Sequence, residues 1–231
     1  MAGQKPGMDQ MSTYPNSLPD EAEARAALVL GLRRRGIGAR EVLAAIERVP
    51  RRLFLSARHH GLAYEDAALP IECGQTVSAP FLVAFTVQAL GLAPEHAVLE
   101  IGTGSGYQAA IMAHLAARVE TLDRFATLTD LATRRFAALR LENVKARQVD
   151  GLDGLRQKGP YDRIVVTAAV ESVPESWIQQ LKPGGILIAP IGKAKQPQSL
   201  KRFHKTENDT TAETLMSVRT VMLQPGLAKK L

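Results

Sequence analysis

An α/β fold, its mostly parallel sheet covered by helices on both faces, is predicted by two observations. From His96 onward, short apolar strands alternate with helical stretches, and a glycine-rich turn joins the first of these strands to the helix after it. Together they specify a Rossmann-like doubly wound sheet, with a helical N-terminal extension and antiparallel C-terminal strands.

The elements follow from local chemistry. Asp20, with Glu21 and Glu23 behind it, reads as an N-cap and acidic first turn. The helix then runs over Ala24 to Arg35, and Gly36 ends its basic last turn. A second helix, Arg40 to Arg48, stops at Val49-Pro50. Arg51 to Pro80 has little periodicity and contains Gly61, Pro70, Gly74 and Pro80, the composition of a binding loop. Phe81 to Leu90 is helical. The sheet region then reads as strand Ala97 to Ile101, helix Tyr107 to Ala117, strand Val119 to Leu122, helix Ala126 to Leu139 and strand Val144 to Val149. Strand Asp162 to Ala168, helix Pro174 to Leu181 and strand Gly185 to Ile191 continue it. Two antiparallel strands, near Ser199 to His204 and Thr214 to Leu223, complete it.

At 231 residues the chain is sized for one core. Residues 1–20, polar and carrying Pro6, Pro15 and Pro19, are expected to form a flexible tail. Residues 21–231 are expected to form a single domain, with helices and a substrate loop over 21–94 and the sheet over 95–231. A hydrophobic fraction of 45% and a charged fraction of 23% are ordinary for a globular chain. No apolar run reaches the roughly 20 residues a bilayer crossing needs, and no signal-peptide pattern opens the chain, so a cytoplasmic protein without a membrane partner is expected. Cys73 is the only cysteine, which excludes an internal disulfide and a multi-cysteine metal site. His59, His60, His96, His114 and His204 show no metal spacing, and no metal is expected. The net charge of +6 is spread over short basic pairs with few aromatics, so nucleic acid is not expected as a partner. A monomer is expected.

The strongest motif is Glu100-Ile101-Gly102-Thr103-Gly104-Ser105-Gly106-Tyr107, at the junction of strand and helix. Gly102 permits the tight turn, while Gly104 and Gly106 are expected to let the backbone approach a ligand. Its G-x-G-x-G spacing differs from the G-x-G-x-x-G dinucleotide fingerprint. Glu100 ends the strand where a carboxylate suits a cationic amino group and repels a pyrophosphate. Asp123 ends the next strand, where an acid accepts hydrogen bonds from ribose hydroxyls. Asp150-Gly151 ends the third; alone it reads as a turn, but in register with the other two acids it is expected to reach an adenine amino group. A nucleoside with a cationic amino-acid tail fits all three, and S-adenosylmethionine is such a molecule.

The run Val98 to Ala110 resembles the protein-L-isoaspartate O-methyltransferases almost residue for residue. So do Val49-Pro50-Arg51 with Phe54, Tyr64-Glu65-Asp66, Ala68-Leu69-Pro70-Ile71 and Gly74-Gln75-Thr76-Val77-Ser78-Ala79-Pro80. Downstream, Asp150-Gly151, Tyr161-Asp162, Thr167-Ala168-Ala169, Gln180 to Gly185 and Pro190-Ile191-Gly192 keep the family's order. The resemblance implies transfer of a methyl group from S-adenosylmethionine to the α-carboxylate of L-isoaspartyl residues in damaged proteins or peptides. It places the active-site serine at Ser78, whose hydroxyl would hold the acceptor carboxylate; Ser78 also reads as a helix N-cap. Gln75, Thr76, Val77 and Ser78 are expected along the cofactor, with Gly102, Thr103, Gly104, Ser105 and Gly106 in the loop, Arg124 beside Asp123, and Gly151 beside Asp150. Glu72 stands where the family usually has glycine, and Arg219 to Leu223 replace its aromatic-Val-Pro-Leu substrate wall. Two readings share every cofactor argument: a methyltransferase acting on another carboxylate, and a non-catalytic binder of S-adenosylmethionine.

Overall fold

The computed structural model describes residues 19–228. Residues 1–18, most of the expected tail, and residues 229–231 lie outside them. Helix α1 spans Pro19–Arg34, so it begins before Asp20. Helix α2 is Arg40–Arg48. The aperiodic tract that follows is built from 3-10 turns at Arg51–Phe54, Ala57–Leu62 and Glu72–Gly74. A minimal hairpin is set among them: β1 (Leu69–Pro70) pairs antiparallel with β2 (Thr76–Val77). Helix α3 (Pro80–Leu90) leads to the sheet.

The sheet strands are β3 (Ala97–Ile101), β4 (Arg118–Asp123), β5 (Val144–Gln148), β6 (Tyr161–Val166), β7 (Leu181–Ile191), β8 (Gln198–Lys205) and β9 (Thr210–Val218). Helices α4 (Tyr107–Ala113), α5 (Ala126–Ala138) and α6 (Glu175–Gln179) connect them. Strand order is β5-β4-β3-β6-β7-β8-β9, the first five parallel and the last two antiparallel to their neighbours. The chain winds outward from β3 through β4 to β5, then returns to the other side of β3 with β6. That reversal opens a crevice at the carboxyl ends of β3 and β6, the usual ligand position in such sheets.

Alternation along β3 sends Val98 to one face and Leu99 and Ile101 to the other. Val98 packs in the larger core, which takes in α1 to α5; Leu99 and Ile101 join Ile164, Leu187 and Trp177 in the second. Each fully buried aliphatic side chain contributes roughly 1.5–3 kcal/mol. Trp177 also donates its indole N–H to Gly151 O at 2.8 Å, fixing α6 to the end of β5.

Three elements differ from expectation. Helix α4 stops at Ala113 and not Ala117, because the amides of Ala117 and Arg118 turn to His96 O and start β4. Strand β7 begins at Leu181, so α6 is correspondingly short. Strand β9 covers Thr210–Val218, and the segment after it leaves the ladder: Met222 instead pairs parallel with Ala169 at the end of β6.

Candidate active site

The floor of the crevice is the end of β3. Glu100 is wholly buried, at 0% exposure. Pairing of β3 with β4 sets it beside Thr121, whose hydroxyl donates to Glu100 Oε2 at 2.6 Å; Gln108, the second residue of α4, donates to Oε1 at 3.0 Å. Thr103 Oγ1 lies 2.8 Å from Thr121 Oγ1. With the Thr121 proton committed to Glu100, Thr103 is the donor, and the loop is tied to the neighbouring strand β4. Burial pushes the Glu100 carboxyl up to about 8, and the charge of Asp123 adds to the rise against the pull of the Thr121 and Gln108 hydrogen bonds.

Asp123, at the end of β4, takes the Gly104 amide on Oδ2 at 2.9 Å and the Phe125 amide on Oδ1 at 3.0 Å. It therefore holds the crest of the glycine loop, and burial again raises its pKa. Each oxygen keeps a second lone pair for a ligand hydroxyl. Among the described residues, no lysine or arginine forms an ion pair with Glu100 or Asp123.

The three loop glycines answer different demands. Gly102 has φ +98, and a Cβ there would meet Thr167 Oγ1 at 2.1 Å. Gly104 has φ +51 with nothing nearer its Cβ position than Ile71 Cδ1 at 3.7 Å, so its face is open to the crevice. Gly106 faces α5. Its Cβ direction is filled by Ala132 at 3.0 Å and Phe136 at 3.1 Å, so its smallness lets α5 pack against the loop. Ser105 is buried, its Oγ accepting from Tyr107 N at 3.2 Å.

The opposite wall is the β1–β2 hairpin and the start of α3. The expected capping role of Ser78 is not observed. The N-cap is Ala79, and the Phe81 amide bonds Asp66 Oδ1 at 2.7 Å, supplied from fifteen residues upstream. Asp66 is itself paired with Arg35. Among the described residues the Ser78 hydroxyl makes no hydrogen bond, which leaves it free for a ligand in the crevice it lines.

The crevice encloses about 290 Å³. Gln75, Thr76, Val77 and Ser78 form one wall, and Glu100, Gly102, Thr103, Gly104 and Ser105 the floor. Asp123, Arg124 and Gly151 border the far side. Sequence reasoning missed Gln108 and Thr167, which also line it. A larger recess of about 590 Å³ lies between α1 and residues 60–66. Its polar groups satisfy one another: the Tyr64 hydroxyl donates to Glu21 at 2.7 Å, and Arg52 pairs with Glu21 at 3.4 Å. The smaller crevice is therefore the candidate site, because two acids outside any ion pair and an unbonded hydroxyl converge there.

Residues 23–227 match the family model described as protein-L-isoaspartate (D-aspartate) O-methyltransferase. The chain belongs to that family. A protein-L-isoaspartate O-methyltransferase of Azorhizobium caulinodans is 54% identical over 90% of this chain and 96% of its own length. One of Xanthobacter autotrophicus is 49% identical over 91% and 96%. A solved protein-L-isoaspartate O-methyltransferase superposes with a TM-score of 0.81 at 31% identity, covering 88% of this chain and 67% of that one. A Plasmodium falciparum structure with S-adenosyl-L-homocysteine bound gives 0.77 at 25% identity, covering 87% and 98%.

In this member of the protein-L-isoaspartate O-methyltransferase family, the fourth side of the crevice is a strap, Arg219 to Gln224. Ala169 clasps it from both directions, its amide on Val221 O at 2.7 Å and its carbonyl receiving Leu223 N at 2.8 Å. Further along, the amide of Gly226 donates to Asp150 Oδ2 at 2.6 Å, and that of Ala228 to Arg124 O at 3.0 Å. Asp150 thus anchors the strap as well as its own turn. Its other oxygen caps the turn at Gly151–Asp153 by accepting from Leu152 N at 3.0 Å, and its side chain does not line the crevice, although Gly151 does.

Asp150→Ala is expected to cost about 1 kcal/mol, as for a lost cap. It is also expected to raise amide exchange and proteolysis over residues 219–228, with binding of S-adenosylhomocysteine nearly unchanged. Loss of that binding by more than tenfold with the strap undisturbed would assign Asp150 to the adenine.

Among the described residues no cluster of three His, Cys, Asp or Glu side chains is placed to hold a metal ion, and no helix is long and apolar enough to cross a membrane.

Proposed function

We propose that this chain, acting as a monomer, transfers a methyl group from S-adenosylmethionine to the free α-carboxylate of L-isoaspartyl residues in damaged proteins and peptides. Family membership supports the reading, and one observation carries it: a single crevice joins two buried acids that form no ion pair to an unbonded serine hydroxyl. The acids fit the cofactor. Glu100 lacks the cation that an amino group would supply, and Asp123 presents spare acceptors for ribose hydroxyls. When bound, S-adenosylmethionine supplies an electrophilic methyl group on a positively charged sulfur.

The acceptor carboxylate has an ordinary pKa near 4 and is ionised at pH 7, so no general base is required. What remains for the protein is alignment, which contributes roughly 7–11 kcal/mol in well-oriented reactions. Ser78 donates its hydroxyl proton as a hydrogen bond to one acceptor oxygen and leaves the other free to attack. Gln75, Thr76 and Val77 bring that serine up to the glycine loop, and the strap excludes water on the far side. The following backbone amide nitrogen then attacks the ester carbonyl and expels methanol to give a succinimide without further help, and addition of water returns part of it to normal aspartate.

Two peptides identical except for one isoaspartyl or aspartyl linkage test the reading. Base-labile methyl incorporation into the isoaspartyl peptide alone is expected; equal labelling of both, or of neither, contradicts it.

The raised pKa of Glu100 has a measurable result. At pH 7 a carboxyl titrating near 8 is mostly protonated, and the ligand's amino group, with a pKa of about 7.7–8.0, is mostly charged. Pairing them in the ionised form releases close to one proton per S-adenosylhomocysteine bound. The release falls through zero near pH 8, where affinity peaks. Calorimetry in two buffers of different ionisation enthalpy measures it, and Glu100→Gln is expected to abolish it. The same shift makes Glu100 favour the folded state below its ordinary value of 4.5, a contribution lost as pH rises from there to about 8. A wild-type chain that binds without releasing protons at pH 7 contradicts the pairing.

A further inference from the structure

The motif Val49-Pro50-Arg51 with Phe54 has no part in the chemistry described so far. Arg51 opens the 3-10 turn that follows α2, and its side chain is wholly enclosed, at 0% exposure. A buried guanidinium is costly without a paired acid, and an apolar side chain of similar volume would stabilise such a position at least as well. Arg51 has no such acid. Its Nη2 donates to Ser78 O at 2.9 Å and to Ala67 O at 3.3 Å. Its Cζ lies 4.8 Å from the centre of the Tyr107 ring, a cation–π distance. Nε and Nη1 have no hydrogen-bond partner among the described residues. Burial draws its pKa below the usual value, opposed by Tyr107 and Asp66, and an arginine keeps its charge nonetheless.

These contacts fall on the two sides of the crevice. Tyr107 is the residue in which the glycine loop ends, immediately after Gly106, and Phe54 of the same turn as Arg51 packs edge-on to its ring with centroids 5.5 Å apart. Ala67 and Ser78 flank the β1–β2 hairpin, which consists of only two residue pairs, Leu69 with Val77 and Pro70 with Thr76. So short a hairpin is too weak to fix the position of Ser78 by itself. Arg51 does not line the crevice, so it acts from behind the wall.

We propose that Arg51 is a positioning residue for methyl transfer: by clamping the Ser78 carbonyl against the ring that ends the glycine loop, it sets the Ser78 hydroxyl relative to the cofactor. The proposal rests on the methyl-transfer reading of the crevice. A charged side chain earns its place here through direction, since its hydrogen bonds fix the orientation of the peptide that carries the acting hydroxyl.

The test is a double-mutant cycle with Arg51→Met and Ser78→Ala, assayed on an isoaspartyl peptide at saturating S-adenosylmethionine. Arg51→Met is expected to lower kcat at least about tenfold, since misplacement by about 1 Å can cost about 100-fold. The dissociation constant of S-adenosylhomocysteine should stay within about threefold. In the Ser78→Ala background the same change should cost less than about threefold, because the group it positions is gone. Arg51→Lys, which keeps the charge but not the fork, should fall between wild type and Arg51→Met; it carries the same cycle if the methionine variant does not fold. Wild-type kcat in Arg51→Met, or an equal loss in both backgrounds, overturns the proposal. Should the wild-type chain leave isoaspartyl peptides unmethylated, the functional reading fails separately, and amide exchange then decides for Arg51. Faster exchange over residues 76–79 in the variant, with α5 unchanged, supports the clamp; unchanged exchange overturns it.

Discussion

Ser78→Ala lowers kcat on an isoaspartyl peptide by on the order of 100-fold or more, the usual loss when one oriented donor is removed from a reacting oxygen, while S-adenosylhomocysteine affinity stays within about tenfold. The expectation rests on what the hydroxyl is not doing. Asp66 supplies the side-chain acceptor at the start of α3, so alanine removes no helix cap and stability should change little. The Ser78 carbonyl, which accepts from Arg51, is backbone and survives the substitution. The loss should therefore appear in turnover and not in melting temperature. Single-turnover kinetics with peptide saturating isolates the step, and retained turnover removes Ser78 from the chemistry.

The second large effect is steric. Gly102→Ala is expected to destabilise the chain by about 2–5 kcal/mol and to weaken cofactor binding with it. Two terms add: roughly 1–2 kcal/mol for an L-residue at positive φ, and about 1–3 kcal/mol for forced overpacking. Overpacking arises because the new Cβ would lie 2.1 Å from Thr167 Oγ1. That hydroxyl donates to Gly102 O at 2.8 Å, so it cannot rotate away without leaving a carbonyl unpaired. Combining the change with Thr167→Ala removes the obstructing atom. Denaturant unfolding should show partial recovery in the pair, with the backbone strain remaining; strictly additive losses would place the cause elsewhere.

Sequence legibility followed distance along the chain. The glycine loop, Glu100 and Asp123 could be read because strand ends and their next few residues define one edge of a parallel sheet, and the structure brings them together there. Strand β3 matches its expected bounds because a continuous apolar run between a turn and a glycine loop leaves no alternative register. Asp150 shares the strand-end position, and what the sequence does not show is that two backbone amides, one of them Gly226 far downstream, bind its oxygens. At Gly106 the third dimension, here Ala132 and Phe136 on α5, sets a size limit that the sequence does not show. Ser78 reads locally as a cap, and only the fold brings Asp66 to take that role. The strap was expected as a strand because its residues are apolar and β-branched, yet it pairs with Ala169 across the crevice and not with the β8 edge. Arg51 carried no visible signal beyond its motif, because its partners are carbonyls, which every residue has.

A crystal structure of the chain with S-adenosylhomocysteine and an isoaspartyl peptide tests the account most directly. It should show the ligand's amino group on Glu100, its ribose on Asp123, and the peptide's α-carboxylate hydrogen-bonded to Ser78 Oγ on the side facing the sulfur. A ligand seated in the recess beside α1, or a carboxylate held by other groups with Ser78 turned away, would contradict it.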